Sequence, residues 1–453
     1  MEPPSESSSA DTSATPSSSD QTPRRAKRRR VSSGSSSLHG NENKSQDHKR
    51  PVHNPDRDAK FLERVVEELQ KVAKRKRPST RSARRPTQWG PVNAKRMLKL
   101  RQNAKPPARD EVCYVTCEEA EKLLEPGKFF DGPIVTRNTQ QFKWSPLEVD
   151  GTPIQQFLNR WVPDLDWKVS VQDSILEKGG TKSSSEEWEL RELLEYYNKE
   201  VSRHGYRSLN VLDMRNTLPD SISLNFLNGF DTQMLPQVRN QIAAGPSRSL
   251  STGPWHGWGN YREAEKWTLL CFGPAQTLEH EDPLAPDTYL ALQKGELGIG
   301  WVSRAGEEEV AAFSENPQES DALFPKIRYL RLEAGQTVYF PAGTIHFVFR
   351  AKDARTLITG GHVMRWSRIQ EWMANTLNQV RHPNIASDAV LPHAEHYVTA
   401  VASLVQSRER EGRVDEIGGR EAIAAFWRLK EEFDELIQES NGDETKKEEE
   451  EEE

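Results

Sequence analysis

The stretch from Thr277 to His346 constrains this chain more than any other. It opens TLEHEDPLAPDTYLALQKGELGIGWV and closes QTVYFPAGTIHFVF. His280 and Asp282 stand two apart in a segment that reads as a strand, which places both side chains on one face. His346 follows the turn Phe340-Pro341-Ala342-Gly343, which feeds the apolar run Ile345–Phe349. Two imidazoles and one carboxylate on a single wall form the facial set that binds non-haem Fe(II) and leaves coordination positions open. A His-x-Asp pair alone is a weak signal. An apolar strand before it, the hairpin signal Lys294-Gly295-Glu296 after it and Phe-Pro-x-Gly-x-x-His downstream make it a stronger one.

Composition confines the core. The chain has 453 residues, of which only 34% are apolar, and its mean hydropathy is −0.81. Much of it is therefore expected outside any core. Cys113, Cys117 and Cys271 cannot make a disulfide framework, and Cys113-x3-Cys117 lacks the second pair that zinc would need. No apolar run approaches a membrane span, and the Ser-rich start does not read as a signal peptide, so a soluble intracellular protein is expected. The net charge of −7 hides an asymmetry: residues 1–109 hold 26 Lys and Arg against 11 Asp and Glu, and the rest hold 36 against 58. A basic arm on an acidic body fits a chain that reaches for nucleic acid or acidic protein.

The first 58 residues read as disordered. They carry Arg24, Arg25, Lys27, Arg28, Arg29 and Arg30, and Lys74, Arg75, Lys76 and Arg77 form a second cluster. Nuclear import and DNA phosphate contact are the functional reading of both, against a merely solvated charge run. Between them, residues 59–76 have helical apolar spacing, and residues 78–109 read as a linker. Further on, Ser185 is expected to cap a helix over Glu186–Val201. Leu209–Asp213 and Ile222–Phe226 are expected as strands. Trp255, Trp258 and Trp267 are dense enough to suggest a cage for a methylated cation, or simple packing. Glu307–Glu309 and Glu315–Asp321 read as a solvated acidic insertion or, more sharply, as a rim that contacts a histone tail or other basic protein. Three apolar stripes after Arg365 are helical, His393-x-x-His396 reads as loop histidines, and the terminal glutamates read as a disordered acidic tail.

The ordered motifs Thr277-x-x-His280-x-Asp282, Lys294-Gly295-Glu296-Leu297, Pro341-x-Gly343-x-x-His346 and Gly360-Gly361 resemble the jumonji C (JmjC) family of Fe(II)/2-oxoglutarate oxygenases. The closest likeness is to its plant-homeodomain-linked lysine demethylase branch, over roughly residues 185–385. That resemblance implies a mostly β jelly-roll, the cupin-like double-stranded β-helix, with flanking helices. It divides the chain into a basic arm (1–109), an α/β flank (110–208), the jelly-roll (209–366), a helical flank (367–440) and an acidic tail (441–453). It implies Fe(II) on His280, Asp282 and His346, 2-oxoglutarate with Thr277 as one contact, and a nuclear dioxygenase acting on histone methyl-lysine or protein side chains. One position departs. The family's second lysine, which meets the distal carboxylate of 2-oxoglutarate, is Leu297, and Lys294 lies three residues away. Asn225 stands where the family has Glu, and His362 follows the glycine pair as either a pocket or a structural histidine. The alternative is a catalytically inactive chromatin-binding protein that lost 2-oxoglutarate use.

Overall fold

A computed structural model of the chain describes residues 49–74, 91–137, 144–145, 152–162, 164–177, 183–198, 208–218, 224–244, 266–317, 320–387 and 390–452. Helix α1 (Pro55–Ala73) starts at Asn54, whose side chain accepts from the Arg57 N–H, with Pro55 in the first turn. Its buried Phe61, Val65 and Leu69 meet Met97 and Leu100 of α2 (Pro91–Asn103). The apolar spacing expected over 59–76 is thus a helix, and it docks on the body. Helix α2 falls where a linker was expected. Ala94, Met97 and Leu100 share its buried face together with Arg96 and Arg101, whose charges disguised that face in the sequence.

The body begins with β1 (Cys113–Tyr114), α3 (Cys117–Leu123), which Thr116 and Glu119 cap reciprocally, and β2 (Ile134–Arg137). Helix α4 (Pro153–Gln156) runs into a π-helical turn, Phe157–Trp161. Strands β3 (Lys168–Glu177) and β4 (Ser183–Glu189) follow, then α5 (Leu190–Asn198) and β5 (Leu209–Arg215). The helix expected over Glu186–Val201 therefore starts only at Leu190. Its first residues pair with β3 instead, Trp188 opposite Val169 and Glu186 opposite Val171. Long-range pairing overrides local helical spacing there. The strand expected at Ile222–Phe226 is, where described, a 3-10 turn at Asn225–Leu227, because the successive residues Phe226 and Leu227 bury in one cluster, which a turn permits and strand alternation does not.

After α6 (Met234–Ala244) come β6 (Trp267–Phe272), β7 (Thr277–His280), β8 (Asp287–Lys294), β9 (Glu296–Val302) and α7 (Glu307–Glu315). Helix α7 replaces part of the expected acidic loop, and it buries Phe313. Then follow β10 (Ile327–Glu333), β11 (Gln336–Phe340), β12 (His346–Phe349) and β13 (Arg355–Val363). Helices α8 (Ile369–Arg381), α9 (Leu391–Arg410) and α10 (Gly419–Glu452) close the chain. The last one continues through the Lys- and Glu-rich run read as a tail, residues with good helix propensity.

Nine strands form one sheet in the order β1-β2-β11-β8-β13-β6-β5-β3-β4, and four form another, β10-β9-β12-β7. Leu290, Leu292, Trp267 and Ile358 of the larger sheet share a core with Leu297, Ile299, Trp301 and Leu330 of the smaller. The outer face of the smaller sheet carries Phe347 and Phe349 under α1 and α2. Gly300 lies opposite Phe347, and a Cβ there would meet the phenyl ring at 2.0 Å. Helices α6, α8, α9 and α10 form a third core of their own around Trp366, Trp372 and Phe426.

This architecture corrects the expected one. Helix makes up about 49% of the structure and strand 24%, and the two sheets are open, without closure into a barrel. The fold is mixed α/β, not a mostly β double-stranded β-helix or cupin jelly-roll. The physical reason lies in the helical stripes. Those after Arg365 bury enough apolar surface to build a core of their own, and those of α1 and α2 cover the outer face of the smaller sheet.

Candidate metal centre

Strands β7 and β12 pair antiparallel with His280 opposite His346, and the two ring centroids are 4.3 Å apart. Asp282, just past the end of β7, turns its carboxylate between them. Oδ1 lies 3.8 Å from His280 Nε2, and Oδ2 lies 3.9 Å from His346 Nε2. One ligand atom from each residue falls within 4.8 Å of the others. Both imidazoles are oriented alike: Nδ1 of His280 meets the Leu278 carbonyl at 2.8 Å, and Nδ1 of His346 meets the Thr344 carbonyl at 2.9 Å. A proton on each Nδ1 satisfies those carbonyls and leaves each Nε2 lone pair for a cation. The cluster is capable of chelating a metal ion.

Electrostatics prepare the same state. Burial, reinforced by the His346 ring, brings the His280 imidazole down to about 4, so it is neutral at pH 7. Burial alone would raise the Asp282 carboxyl, but the imidazoles of His346, His362 and His280 and the Thr288 hydroxyl hold it below its ordinary value. A neutral imidazole and an ionised carboxylate are the forms that ligate.

The surrounding chain fixes each ligand. Thr288 Oγ1 donates to Asp282 Oδ2 and lies 2.9 Å from His362 Nδ1, its cross-strand partner. The Phe340 ring stacks on His346 at 5.3 Å. The Pro341–Gly343 turn is pinned by Asp287, which accepts from the Ala342 N–H at 2.7 Å and from the Tyr339 hydroxyl. After Asp282 the backbone takes two left-handed residues, Leu284 (φ 61°) and Ala285 (φ 45°), both buried. Helix α8 holds that loop: Gln379 Nε2 donates to the Asp282 carbonyl at 2.9 Å, and Trp372 Nε1 to the Leu284 carbonyl at 2.9 Å. None of Thr288, Tyr339, Asp287, Trp372 and Gln379 was expected at the site. Only the Phe-Pro-x-Gly turn signalled part of this shell, because the other contacts cross between elements distant in sequence.

The remaining expectations fare unevenly. Thr277 is half-buried in β7 opposite Val348. Leu297 is fully buried in the apolar layer between the sheets, and Lys294 is exposed at the β8 end of the hairpin. His362 is buried behind Thr288, its ring 5.6 Å from that of Trp267. Asn225 lies in a 3-10 turn. Lys74 caps α1, whereas Arg24–Arg30, Arg75–Arg77, Trp255 and Trp258 lie outside the described residues. His393 and His396 fall in helix α9, not in a loop.

The triad is present, but the open mixed α/β fold overturns the resemblance to the JmjC family, and with it the expected identity as an Fe(II)/2-oxoglutarate dioxygenase or histone demethylase. The same correction removes the inactive JmjC alternative. No 2-oxoglutarate-binding motif accompanies the cluster among the described residues. Among those residues, no helix is long and apolar enough to cross a membrane. No family model matches the chain, and no curated protein matches it.

Proposed function

We propose that the chain is a metal-binding protein that holds one divalent transition-metal ion through His280 Nε2, His346 Nε2 and an Asp282 oxygen, with Fe(II) the favoured ion. The observation that carries the reading is the matched pair of Nδ1-to-carbonyl contacts, which turn both Nε2 atoms towards one carboxylate. Two imidazoles and one carboxylate without a thiolate suit borderline first-row ions and leave open positions for an exogenous ligand. Such an ion supplies Lewis acidity and, if it is iron, one-electron chemistry. The protein's own part is orientation: Thr288 fixes the carboxylate, and the two backbone carbonyls fix the imidazole tautomers. Anaerobic titration with Fe(II), with Zn(II) and Mn(II) run alongside, tests the reading. One equivalent of Fe(II) is expected to bind wild type, and His280→Ala and His346→Ala are expected to lose it. Wild type without stoichiometric binding, or variants that bind as wild type does, would overturn the centre.

The basic arm is a second element of the proposal. Its excess of Lys and Arg supports contact with nucleic-acid phosphates and nuclear import. Neutralising Arg24–Arg30 together with Lys74–Arg77 is expected to flatten the salt dependence of DNA binding, and neutralising Arg24–Arg30 to reduce nuclear accumulation. An unchanged salt slope would place the contact elsewhere.

A further inference from the structure

Strand β7 does not run straight to its histidine. His280 lies opposite His346, but Thr277 lies opposite Val348, so three steps along β7 match two along β12. The extra residue makes a bulge at Leu278 and Glu279, a device that re-aims the side chain beside it. The Leu278 carbonyl receives the His280 Nδ1–H, and its side chain packs into the cluster of Phe347 and Phe349. The Glu279 carboxylate points into the protein and pairs with Arg96 of α2, both groups buried. Arg96 is braced in turn: Nη1 reaches Asp321 at 3.3 Å, Nη2 reaches the Pro317 carbonyl at 3.4 Å, and the guanidinium lies 5.4 Å from the Phe324 ring centre. A second arginine of the same helix, Arg101, is fully buried over the Phe347 ring at 4.6 Å. It donates to Gln276 Oε1, just before β7, at 2.9 Å.

We infer that Arg96 is a positioning residue of the metal centre: by clamping Glu279 within the bulge, it sets the direction in which the next residue, His280, presents its imidazole. The inference rests on the metal-binding reading above. It makes α2, a helix far from the ligands in sequence, part of the centre's supporting shell. The contact reaches the ligand strand through a side chain adjacent to the ligand, as outer-shell supports of metal sites do.

The test compares metal affinity and the ligand-field absorption of the Co(II)-loaded protein in wild type, Arg96→Ala, Arg96→Lys, Glu279→Gln and Leu69→Ala. Leu69 is buried in the same helical layer and carries no polar group that could pair with Glu279, so it reports packing damage without loss of the clamp. Arg96→Ala is expected to weaken binding by about 10- to 100-fold and to shift the Co(II) spectrum. Arg96→Lys is expected to recover part of the affinity, because it restores the positive charge but not the fork. Should Arg96→Ala fail to fold, Glu279→Gln carries the same expectation in the same direction. Leu69→Ala should lower the melting temperature and leave both metal readouts alone. Unchanged affinity and spectrum in every Arg96 and Glu279 variant, with wild type binding normally, overturns the clamp and spares the centre. An equal loss in Leu69→Ala also overturns it. Failure of wild type to bind metal overturns the centre and the clamp with it.

Discussion

The two arms of the centre are held by opposite means. His346 is placed by its own neighbourhood: Pro341, the left-handed Gly343 (φ 69°) and Thr344, whose hydroxyl donates to the Pro341 carbonyl at 2.6 Å, bend the chain directly into β12. His280 and Asp282 are placed from afar. Arg96 pairs with the adjacent Glu279 from the N-terminal side, and Trp372 and Gln379 hold the loop after Asp282 from α8. The turn before His346 needs its own few residues and one clamp, Asp287 of β8. A ligand held across elements depends on three separately folded pieces arriving together, and it inherits the stability of each.

The comparison breaks most visibly at Trp372. Its indole is buried in the helical core and bonds the strained loop after Asp282, so Trp372→Ala removes both a large apolar group and that tether. A loss of about 3–5 kcal/mol is expected, from large-to-small substitution in a packed core. Denaturant titration measures it, and a loss well under that range would mean the loop is held by Gln379 alone.

Glu281 sharpens the contrast, because the distant support places a buried carboxyl in the chain between His280 and Asp282. Burial, partly offset by the Gln379 amide, raises the Glu281 carboxyl to about 7. The unfolded chain ionises this group near its ordinary value of 4.5, while the folded chain keeps the proton up to about 7. Between those values the folded state binds more protons, so stability falls as pH rises and then levels off. Glu281→Gln in chelator-treated protein should therefore be more stable than wild type above pH 7, and the advantage should disappear below about 4.5. Urea denaturation across that window reads the difference; parallel curves at every pH would show that the carboxyl does not titrate as its burial implies.

Gly343 tests the local arm. A Cβ there would sit 2.6 Å from Asn375 Nδ2 on a left-handed backbone. Gly343→Ala is expected to cost about 1–2 kcal/mol, the backbone penalty for an L-residue in that region. Thermal unfolding measures the loss, and an unchanged midpoint would mean the turn relaxes without harm to β12.

What the sequence made legible follows the same division. The spacing His280-x-Asp282 with Pro341-x-Gly343-x-x-His346 singles out three residues that the structure brings together. The proline-glycine turn acts locally, whereas Asp282 lies past the end of β7 and is brought in by the loop that Gln379 and Trp372 hold, not by strand alternation. The apolar spacing of α1 was readable because it too is local. Helix α2 was not, because Arg96 and Arg101 point inward and only Glu279, Gln276 and two phenyl rings explain why they can. The overall architecture was misread from motif order. The same short motifs occupy a mixed α/β fold here, and motif order says nothing about how much helix packs beside the strands. Motifs report chain neighbours, whereas layers are set by burial between distant segments.

The smallest effect is expected at Thr288, and it asks whether the carboxylate has a support independent of α8. The hydroxyl has one proton. Because it donates to Asp282 Oδ2, the contact at 2.9 Å requires His362 to carry its proton on Nδ1 and donate to the Thr288 oxygen. His362 thereby orients the hydroxyl, and the hydroxyl orients the carboxylate. Thr288→Val keeps the shape and removes both bonds. About 10-fold weaker metal binding is expected, the lower end of the range for outer-shell supports, because Gln379 still fixes the Asp282 backbone. Thr288→Ser should bind nearly as wild type does, since it keeps the oxygen and its proton. Calorimetric titration of the three proteins with one metal distinguishes the outcomes. Equal affinities in all three would show that the loop alone sets the carboxylate, leaving His362 a buried packing residue. A loss in the valine variant that serine restores would give the distant arm a third support, from the other sheet than the one that carries the histidine ligands.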